Sequence, residues 1–547
     1  MRFRCPWAAA CLVLLVPASV GAWPENVSIR DVPLTPWTGF ARHWDWTYDA
    51  LHQLVLSGIA GKVVLNTKPM SRREMARILA DIVRRVQANQ VADFDHRKDL
   101  EPLLLALLDE FGPELLALGV SGSGITGQPQ RLLEVRPLQF LQARGAYTSN
   151  APTALENRHG ERLEQGLNGR LASAHWLEVG GVFAAYAHPE FLVGPDQASG
   201  RLVEGYAKAR AGVVELQVGR EALWWGPGFH GAMLLSNNAL GLDMVRLQTA
   251  NQVTLPWVLR YLGPMKFVWF FGQFEAEREF PRTKLMGVRV DLAPAPWLEL
   301  GFARAVMFGG DGRPKPPVYQ WPALLVASSD NNASKFSGNN LFQMDASVRL
   351  ANVGKYVPLT RDAELYVDVG VDDTCCESAV IPLKPGVTAG VYLPNLFQSP
   401  DTTFRIEYSN SSSFNFTHGT YTDGYLRKGQ VMSHFVGTAG EDLFFRLTQR
   451  LEQRLLVGIE LDLARRGRTQ AGTAFGTKEL HRHVGVDLSY RHSKDLSLQL
   501  AARLEWVRNR DFVAGNNDLN QVYTLELTYA FDAAFGAGER GTKPPEQ

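Results

Sequence analysis

One segment of the sequence combines the residue types that proteins use to bind sugars. Flat aromatic rings stack on the apolar faces of sugars, while amide, hydroxyl and guanidinium groups bind sugar hydroxyl and acidic groups. Glycine and proline in the same segment also suit a stiff loop packed inside a larger structure. A carbohydrate site and a loop-shaping element are therefore equally open hypotheses. The candidate residues are Arg220, Trp224, Trp225, Gly226, Pro227, Gly228, Ser236, Asn237 and Asn238.

Other patterns that could carry chemistry are weak. Gly536-x-Gly538-x-x-Gly541 matches a dinucleotide-binding fingerprint, but it leaves no room for the helix that would bind the pyrophosphate. The sequence contains no nucleophile elbow, zinc-protease helix or phosphate-binding loop. His481 and His483 could chelate a metal from one face of a predicted strand, but no nearby set of cysteine or carboxylate ligands accompanies them. We predict no catalytic residue, no metal and no cofactor.

Acidic residues recur at alternate positions of the predicted strands and could imitate a glycosidase pair, which needs two carboxyl groups about 5 to 9.5 Å apart. We interpret them instead as the wall of a hydrated, salt-bridged lumen, because arginines share the same strand faces. The acidic residues are Glu364, Asp368, Glu460, Asp462, Asp487, Glu505 and Glu526, and the arginines are Arg405, Arg491 and Arg503.

The overall composition is that of an ordinary folded chain. The 547 residues include 56 Lys+Arg and 56 Asp+Glu, with 45% hydrophobic and 20% charged residues. Nucleic acid is excluded as a partner, because phosphate binding requires clustered basic residues and the sequence has no basic run.

The first 22 residues predict a cleaved secretory signal. Arg2 and Arg4 precede an apolar run that is too short to span a bilayer, and small residues precede a cleavage site at Trp23. Removal of the signal leaves Cys375 and Cys376 as the cysteines of the mature chain, too few for a disulfide-dense scaffold. The mature protein is therefore expected to be exported.

Residues 23–120 predict a small helical domain. Apolar residues recur with helical spacing in three runs, and Ser71-x-x-Glu74 forms a capping box at the start of the second run. The third run extends from Leu100 to Leu118 and ends at Gly119. The Gly/Ser-rich residues 121–130 then predict a flexible linker.

From residue 131 to 531 the apolar period changes to two, which is typical of strands with one apolar face. A soluble β protein and an outer-membrane barrel both produce this pattern. Strands of about ten residues, aromatic residues at strand ends and the export signal favour the barrel, with roughly 16 to 20 strands. Residues 532–547 are predicted to form a polar tail. Counting strands from the periplasm places the segment after Val218 on the extracellular side or folded into the lumen.

Three stretches of the sequence resemble the Wzi capsule-assembly family of bacterial outer-membrane proteins. The most specific is W-W-G-P-G followed by L-L-S-N-N-A within residues 219–239, and the others begin at Trp46 and at Gly424. The resemblance implies an eighteen-stranded outer-membrane β-barrel of a Gram-negative-type cell, with a periplasmic helical bundle at its inner mouth.

The resemblance also implies a function. It implies a lectin that attaches or assembles capsular or extracellular polysaccharide without catalysis. Outer-membrane lipid surrounds such a barrel, and the polysaccharide export machinery is a candidate partner. A porin or sugar channel is the alternative, and an outer-membrane hydrolase is the third hypothesis.

Overall fold

The structure is a computed structural model that describes residues 25–34, 46–91, 97, 99–150, 153–196, 198–325, 338–372, 385–412, 415–452, 454–466 and 477–537. The predicted signal peptide, the Cys375–Cys376 pair and residues 538–547 of the predicted tail lie outside the described residues. Within the described ranges, no helix is both long and apolar enough to cross a membrane.

Eighteen long strands among the described residues form a closed antiparallel barrel, as the resemblance implied. Each strand pairs with its neighbours in sequence, and the first pairs with the last through Phe140–Thr148 and Val522–Ala530. The strands are β1 Leu133–Thr148, β2 Gly166–Val179, β3 Phe183–Val193, β4 Ala198–Ala211, β5 Val214–Glu221, β6 Leu242–Thr249, β7 Pro264–Gln273, β8 Lys284–Ala295, β9 Leu298–Phe308, β10 Asn339–Leu350, β11 Ala363–Asp372, β12 Gly386–Leu393, β13 Thr402–Asn410, β14 Glu441–Glu452, β15 Leu455–Arg466, β16 Glu479–Arg491, β17 Leu496–Arg508 and β18 Asp518–Ala530.

The predicted alternation places apolar side chains on the outer surface of the barrel. In β18, Tyr523, Leu525 and Leu527 are exposed, whereas Glu526 and Thr528 are buried. This is the arrangement of a membrane barrel, whose outer face contacts lipid. The predicted inward acidic residues are all buried, and many are paired, for example Glu526 with Arg170 at 2.8 Å. Arg491 differs, because its side chain is exposed at the end of β16.

The described residues of the helical domain form four helices rather than the predicted three. They are α1 Trp46–Leu56, α2 Arg72–Gln87, α3 Glu101–Glu110 and α4 Gly112–Ala117. Ser71 caps α2 by accepting a hydrogen bond from the Glu74 N–H at 3.1 Å. The third predicted run is split before Pro113, whose ring and missing N–H disfavour a continuous helix. A side chain at Gly112 would also collide with the Thr126 carbonyl oxygen, since a Cβ would lie 1.9 Å from it.

Residues 121–130 form turns that are tied to the helical domain. Gln87 Nε2 donates to the Ser121 carbonyl at 2.9 Å, and Asn26 Nδ2 donates to the Gln130 carbonyl at 2.7 Å. A helix α5, Trp321–Leu325, lies between β9 and β10, away from this domain. We refer to the described residues between 25 and 120 as the plug.

Several short strands supplement the barrel. Phe535–Ala537 pairs with Leu133–Val135 of β1, so the predicted polar tail begins with a strand instead of ending all pairing at Phe531. The tail residues can pair because β1 extends beyond the end of β18 and offers free backbone groups there. Other two-residue strands pair Thr153–Ala154 with Arg162–Leu163, Leu426–Arg427 with Gln430–Val431, Val253–Thr254 with β7, and Thr67–Lys68 with Trp224–Trp225.

The two ends of the barrel differ in the length of their connections. Residues 180–182, 212–213 and 296–297 are short turns at one end, whereas residues 222–241 and 411–440 are long connections at the other. Short turns face the periplasm in outer-membrane barrels. The plug lies at the short-turn end, where Arg97 of the plug forms an ion pair with Asp362 at 2.7 Å. This placement agrees with a periplasmic helical domain.

Asp31 of the plug is a buried anion between two buried cations of the barrel wall. It pairs with Lys208 of β4 and, at 2.5 Å, with Arg246 of β6. Replacing Asp31 by Ala leaves both cations without this partner, which should cost about 3–5 kcal/mol. We expect the plug of D31A to become protease-sensitive at lower urea concentration while the barrel keeps its heat-modifiable gel migration.

The matched control removes an exposed aspartate from an ion pair. Asp243 is 58% exposed and pairs with Arg220, so D243A should change stability by less than about 1 kcal/mol. Equal urea sensitivity of D31A and D243A would show that the Asp31 contact does not hold the plug.

Candidate functional site

The segment that carries the candidate sugar-binding residues lies inside the barrel. Residues 222–241, here called the inner segment, connect β5 to β6 from the long-loop end, and every one of them is buried. The sequence predicted that this segment lies on the extracellular side or folds into the lumen, and the structure shows that it folds into the lumen. Trp224 and Trp225 are both 0% exposed.

The inner segment meets the plug in the middle of the barrel. Trp224–Trp225 and Thr67–Lys68 form an antiparallel pair of short strands, and the Gly226 N–H donates to the Asn66 carbonyl at 2.9 Å. The plug reaches this point from the periplasmic end and the inner segment from the other end. The two insertions therefore close the lumen by backbone pairing.

The two indoles point to opposite sides of this short strand. Trp224 packs in the hydrophobic core of the helical plug, whereas Trp225 packs in a second core with the barrel wall. The Trp225 ring lies edge-on to Phe270 of β7 with centroids 5.5 Å apart. Side chains alternate across a strand, so adjacent tryptophans can bind two separate cores. Neither ring presents a face on which a sugar could stack.

The glycines of the motif allow close backbone contacts. Gly226 has φ +120°, and a Cβ there would lie 2.8 Å from the Asp368 carboxylate. A Cβ at Gly228 would lie 2.0 Å from the Gly231 carbonyl oxygen. Pro227, between them, borders a small internal cavity beside Lys68. Burial lowers the pKa of Lys68 to about 8, although nearby Glu299 and Asp49 oppose this shift.

Carboxylates of the barrel wall bind the backbone of the inner segment. Glu407 of β13 accepts hydrogen bonds from the N–H groups of Phe229 and His230, at 2.6 and 2.9 Å. Asp368 of β11 accepts from the Met233 N–H at 2.9 Å. These buried anions satisfy N–H groups that would otherwise lack partners. The sequence pattern predicted Asp368 only as a lumen residue, and Glu407 was missed. Glu407 lies two residues after Arg405 in β13, so the alternation of this strand could have placed it in the lumen.

The predicted serine and asparagines join the inner segment to the β13–β14 loop and to the plug. Ser236 Oγ donates to the Ser433 carbonyl at 2.7 Å, and Asn238 Nδ2 donates to the Val431 carbonyl at 2.8 Å. Asn237 Nδ2 donates to the Leu34 carbonyl of the plug at 3.3 Å. The structure therefore brings these residues together with the tryptophans, but their hydrogen bonds are made within the protein.

Arg220 is separated from the other candidate residues. It lies on the same face of β5 as the exposed Leu216 and Val218. Its guanidinium donates to both carboxylate oxygens of Asp243, at 2.8 and 2.7 Å. Together with the burial of the inner segment, this favours the loop-shaping hypothesis over direct sugar contact by the predicted residues.

The surface available to a large ligand is formed by the long loops. Arg162 and Lys428 are exposed neighbours there, because Arg162 Nη2 lies 3.4 Å from the Gly429 carbonyl oxygen. The Lys428 backbone N–H donates to Glu275 at 2.9 Å, which ties the β13–β14 loop to the β7–β8 loop. We call Arg162 and Lys428 the mouth pair.

Comparison with known proteins identifies relatives of the chain. The family model of the capsule assembly protein Wzi matches residues 142–522. The solved structure of Wzi from Escherichia coli, described as an outer-membrane protein involved in group 1 capsule assembly and a carbohydrate-binding β-barrel, is similar with a TM-score of 0.67. Sequence identity is 16%, and the match covers 89% of this chain and 98% of that chain.

Two further matches are more limited. An uncharacterised 55.8 kDa protein in the cps region of Klebsiella pneumoniae is 28% identical over 136 residues, which is 25% of this chain and 27% of that protein. The match thus spans about a quarter of the curated relative. OprD of Pseudomonas aeruginosa is similar with a TM-score of 0.41 and 10% identity, covering 74% of this chain and 95% of that chain.

Replacing Trp224 by Ala should separate the plug from the inner segment. The change removes a fully buried indole from the plug core, which should cost about 3–5 kcal/mol. We expect W224A to form a heat-modifiable barrel whose plug is cleaved by trypsin faster than in the wild type. The measurement is limited proteolysis in detergent followed by mass spectrometry of the fragments.

Trp257 provides the matched control, because it is 82% exposed in the turn between β6 and β7. W257A should change stability by no more than about 0.5 kcal/mol. Wild-type proteolysis rates in W224A would contradict the proposed contact between the indole and the plug.

Proposed function

Because the chain belongs to the Wzi capsule-assembly family, we propose that it binds capsular or extracellular polysaccharide at the cell surface and helps to attach or assemble it there. It is an outer-membrane β-barrel of that family, and its described strands close into a barrel. The polymer is the proposed partner, surrounded by outer-membrane lipid at the barrel wall. Contact with the export machinery is a further part of the proposal.

The observation that carries this proposal is the closure of the lumen. The inner segment and the plug pair in mid-barrel through Trp224–Trp225 and Thr67–Lys68, and both tryptophans are fully buried. A polymer held by this protein must therefore lie on the loops outside the lumen. This favours a surface-binding protein over the alternative of a porin or sugar channel.

We place the polymer contact at the mouth pair and the loops around it. Exposed guanidinium and ammonium groups donate hydrogen bonds to the hydroxyl and carboxylate groups of sugars. The inner segment supports this surface indirectly, because Asn238 binds the Val431 carbonyl of the same long loop. Many weak contacts along a repeating polymer add through avidity, so one strong site is not required.

Binding without catalysis is part of the proposal. A glycosidase needs two carboxyl groups on opposite sides of an accessible bond. The predicted lumen carboxylates are buried, and Glu460, for example, faces Arg446 and Arg503 at 3.4 Å each. Such anions are occupied in holding the lumen together.

The double variant R162A/K428A should lose polymer binding while keeping the barrel. Each lost charge-assisted hydrogen bond contributes about 1.5 kcal/mol or more, so the Kd should rise by at least about tenfold. The measurement combines a glycan pull-down with the producing organism's own surface polymer and the amount of polymer retained on cells.

A control with the same change of charge is available at the opposite end. Arg260 and Lys494 are exposed in the β6–β7 and β16–β17 turns, on the periplasmic side. R260A/K494A should bind polymer like the wild type. Equal loss in both double variants would indicate a nonspecific charge effect and contradict a site at the mouth.

Single-molecule current in a planar bilayer should distinguish the proposal from the porin alternative. The closed lumen predicts a conductance far below that of a general porin measured in the same bilayer. Stable, porin-like current steps from the wild-type protein would favour a channel and would contradict the surface-binding proposal.

A further inference from the structure

A buried cluster of imidazoles and carboxylates lies where the inner segment touches the barrel wall, and neither the lumen closure nor the mouth pair uses it. His230 comes from the inner segment, Asp442 from β14, Asp462 from β15 and His483 from β16. One ligand atom from each of His230, Asp442 and Asp462 lies within 4.8 Å of the others. His434 of the β13–β14 loop borders the cluster.

The distances within the cluster resemble those between neighbouring ligands of one ion. His230 Nε2 is 3.9 Å from Asp462 Oδ2, and His483 Nδ1 is 3.5 Å from the same oxygen. In a tetrahedral zinc site with bonds of about 2.0–2.2 Å, ligand atoms lie roughly 3.3–3.6 Å apart. These two contacts are close to that spacing, and side-chain rotation would have to bring the remaining ligand atoms together around an ion.

Among the described residues, no permanently charged side chain pairs with the carboxylates of this cluster. All five residues are at most 3% exposed, and in the described parts of the chain no lysine or arginine forms an ion pair with Asp442 or Asp462. Many other lumen carboxylates have such partners, as Asp345 has Arg289 at 2.7 Å, whereas Asp368 and Glu407 accept hydrogen bonds from backbone N–H groups. Two adjacent carboxylates in a buried site require a compensating positive charge or a proton.

Polar atoms of the cluster also lack hydrogen-bond partners within the described structure. They are Oδ1 of Asp442, Oδ1 of Asp462 and Nε2 of His434. Buried polar atoms without partners are rare in folded proteins and often indicate an ion or ligand. This is a second observation, independent of the grouping of acidic and basic residues.

We propose that His230, Asp442, Asp462 and His483 bind one Zn²⁺ ion. Two imidazole nitrogens and two carboxylate oxygens form a donor set that suits zinc, whereas Ca²⁺ takes six to eight oxygens. Four protein ligands fill a tetrahedral site, so the ion has a structural role. It joins the inner segment to three neighbouring strands and thereby stabilises the loops above the closed lumen.

Neighbouring groups orient these ligands. His230 Nδ1 lies 2.8 Å from Asp442 Oδ2, and Nε2 of the same ring lies 3.9 Å from Asp462 Oδ2. His483 Nε2 lies 3.3 Å from Glu460 Oε1, so this carboxylate can accept the proton of a zinc-binding imidazole. His434 is a positioning residue, because its Nδ1 accepts the Val436 N–H at 3.5 Å and its Nε2 points to Asp442 at 3.8 Å.

The prediction from sequence that the chain has no metal site is therefore revised by this proposal. The His481-x-His483 pair does not chelate as a unit, since His481 binds Glu505 at 2.7 Å and also contacts Glu479. Only His483 joins the cluster, and its partners come from other strands and from the inner segment. Sequence spacing could not bring these residues together.

Metal analysis of the purified full-length protein tests the proposal. Protein without a polyhistidine tag is stripped with a chelator, dialysed against Zn²⁺ and then against metal-free buffer, and measured by inductively coupled plasma mass spectrometry. We expect about one Zn²⁺ per chain in the wild type and at least a tenfold weaker affinity in D462N and in H483Q. H481Q is the matched control, with the same substitution two residues away on the same strand face, and should bind zinc like the wild type.

Substitution with Co²⁺ gives a readout that does not depend on stability. A tetrahedral site of nitrogen and oxygen ligands should produce visible absorption in the wild type and in H481Q, and this absorption should be lost in H483Q. Heat-modifiable migration of each variant verifies that the barrel has formed. The proposal is overturned if the folded wild type retains no zinc, if folded H483Q retains as much as the wild type, or if H481Q loses it equally.

Discussion

Inside the barrel, charged and polar side chains from eighteen strands face a lumen that is occupied by other parts of the same chain. Because the outer face must be apolar to contact lipid, the inward positions carry the polar residues, and burying them requires a partner for each. Wall carboxylates supply many of these partnerships. Asp345 binds Arg289, whereas Glu407 and Asp368 bind backbone N–H groups of the inner segment. The positions of the plug and the inner segment follow from this pairing.

The two insertions depend on each other. The plug enters from the periplasmic end and carries Asp31 to Lys208 and Arg246 of the wall, while the inner segment enters from the opposite end. They meet as two short antiparallel strands, and adjacent tryptophans then bind the plug core and the wall core separately. This short pairing, together with the hydrogen bond from Asn237 to the Leu34 carbonyl, links loops on the cell-surface side to a helical domain on the periplasmic side. This link gives a physical path by which the plug supports the surface loops.

For a member of the Wzi capsule-assembly family, a closed lumen separates two tasks that a channel would combine. The wall and its contents provide a rigid support in the outer membrane, and the exposed loops remain free to vary with the proposed polymer. Loops on a rigid scaffold are a common location for binding residues. The buried motif can therefore be the most recognisable part of the sequence without contacting the polymer, because its glycines and tryptophans meet geometric demands of the interior.

The sequence by itself predicted strands with one apolar face and a helical region, because alternation and helical spacing are local properties that each element expresses alone. Strand length, aromatic strand ends and the export signal then favoured a membrane barrel over a soluble β protein. It also placed the inner segment by counting strands. It could not decide whether Trp224 and Trp225 face a sugar or a core, since both uses need the same residue types. The tertiary structure decided that question by pairing Thr67–Lys68 with Trp224–Trp225. It also placed the Arg220 side chain beside Asp243, away from the other candidate residues. The cluster around Asp462 likewise depends on residues that are distant in sequence, and only tertiary structure brings such residues into contact.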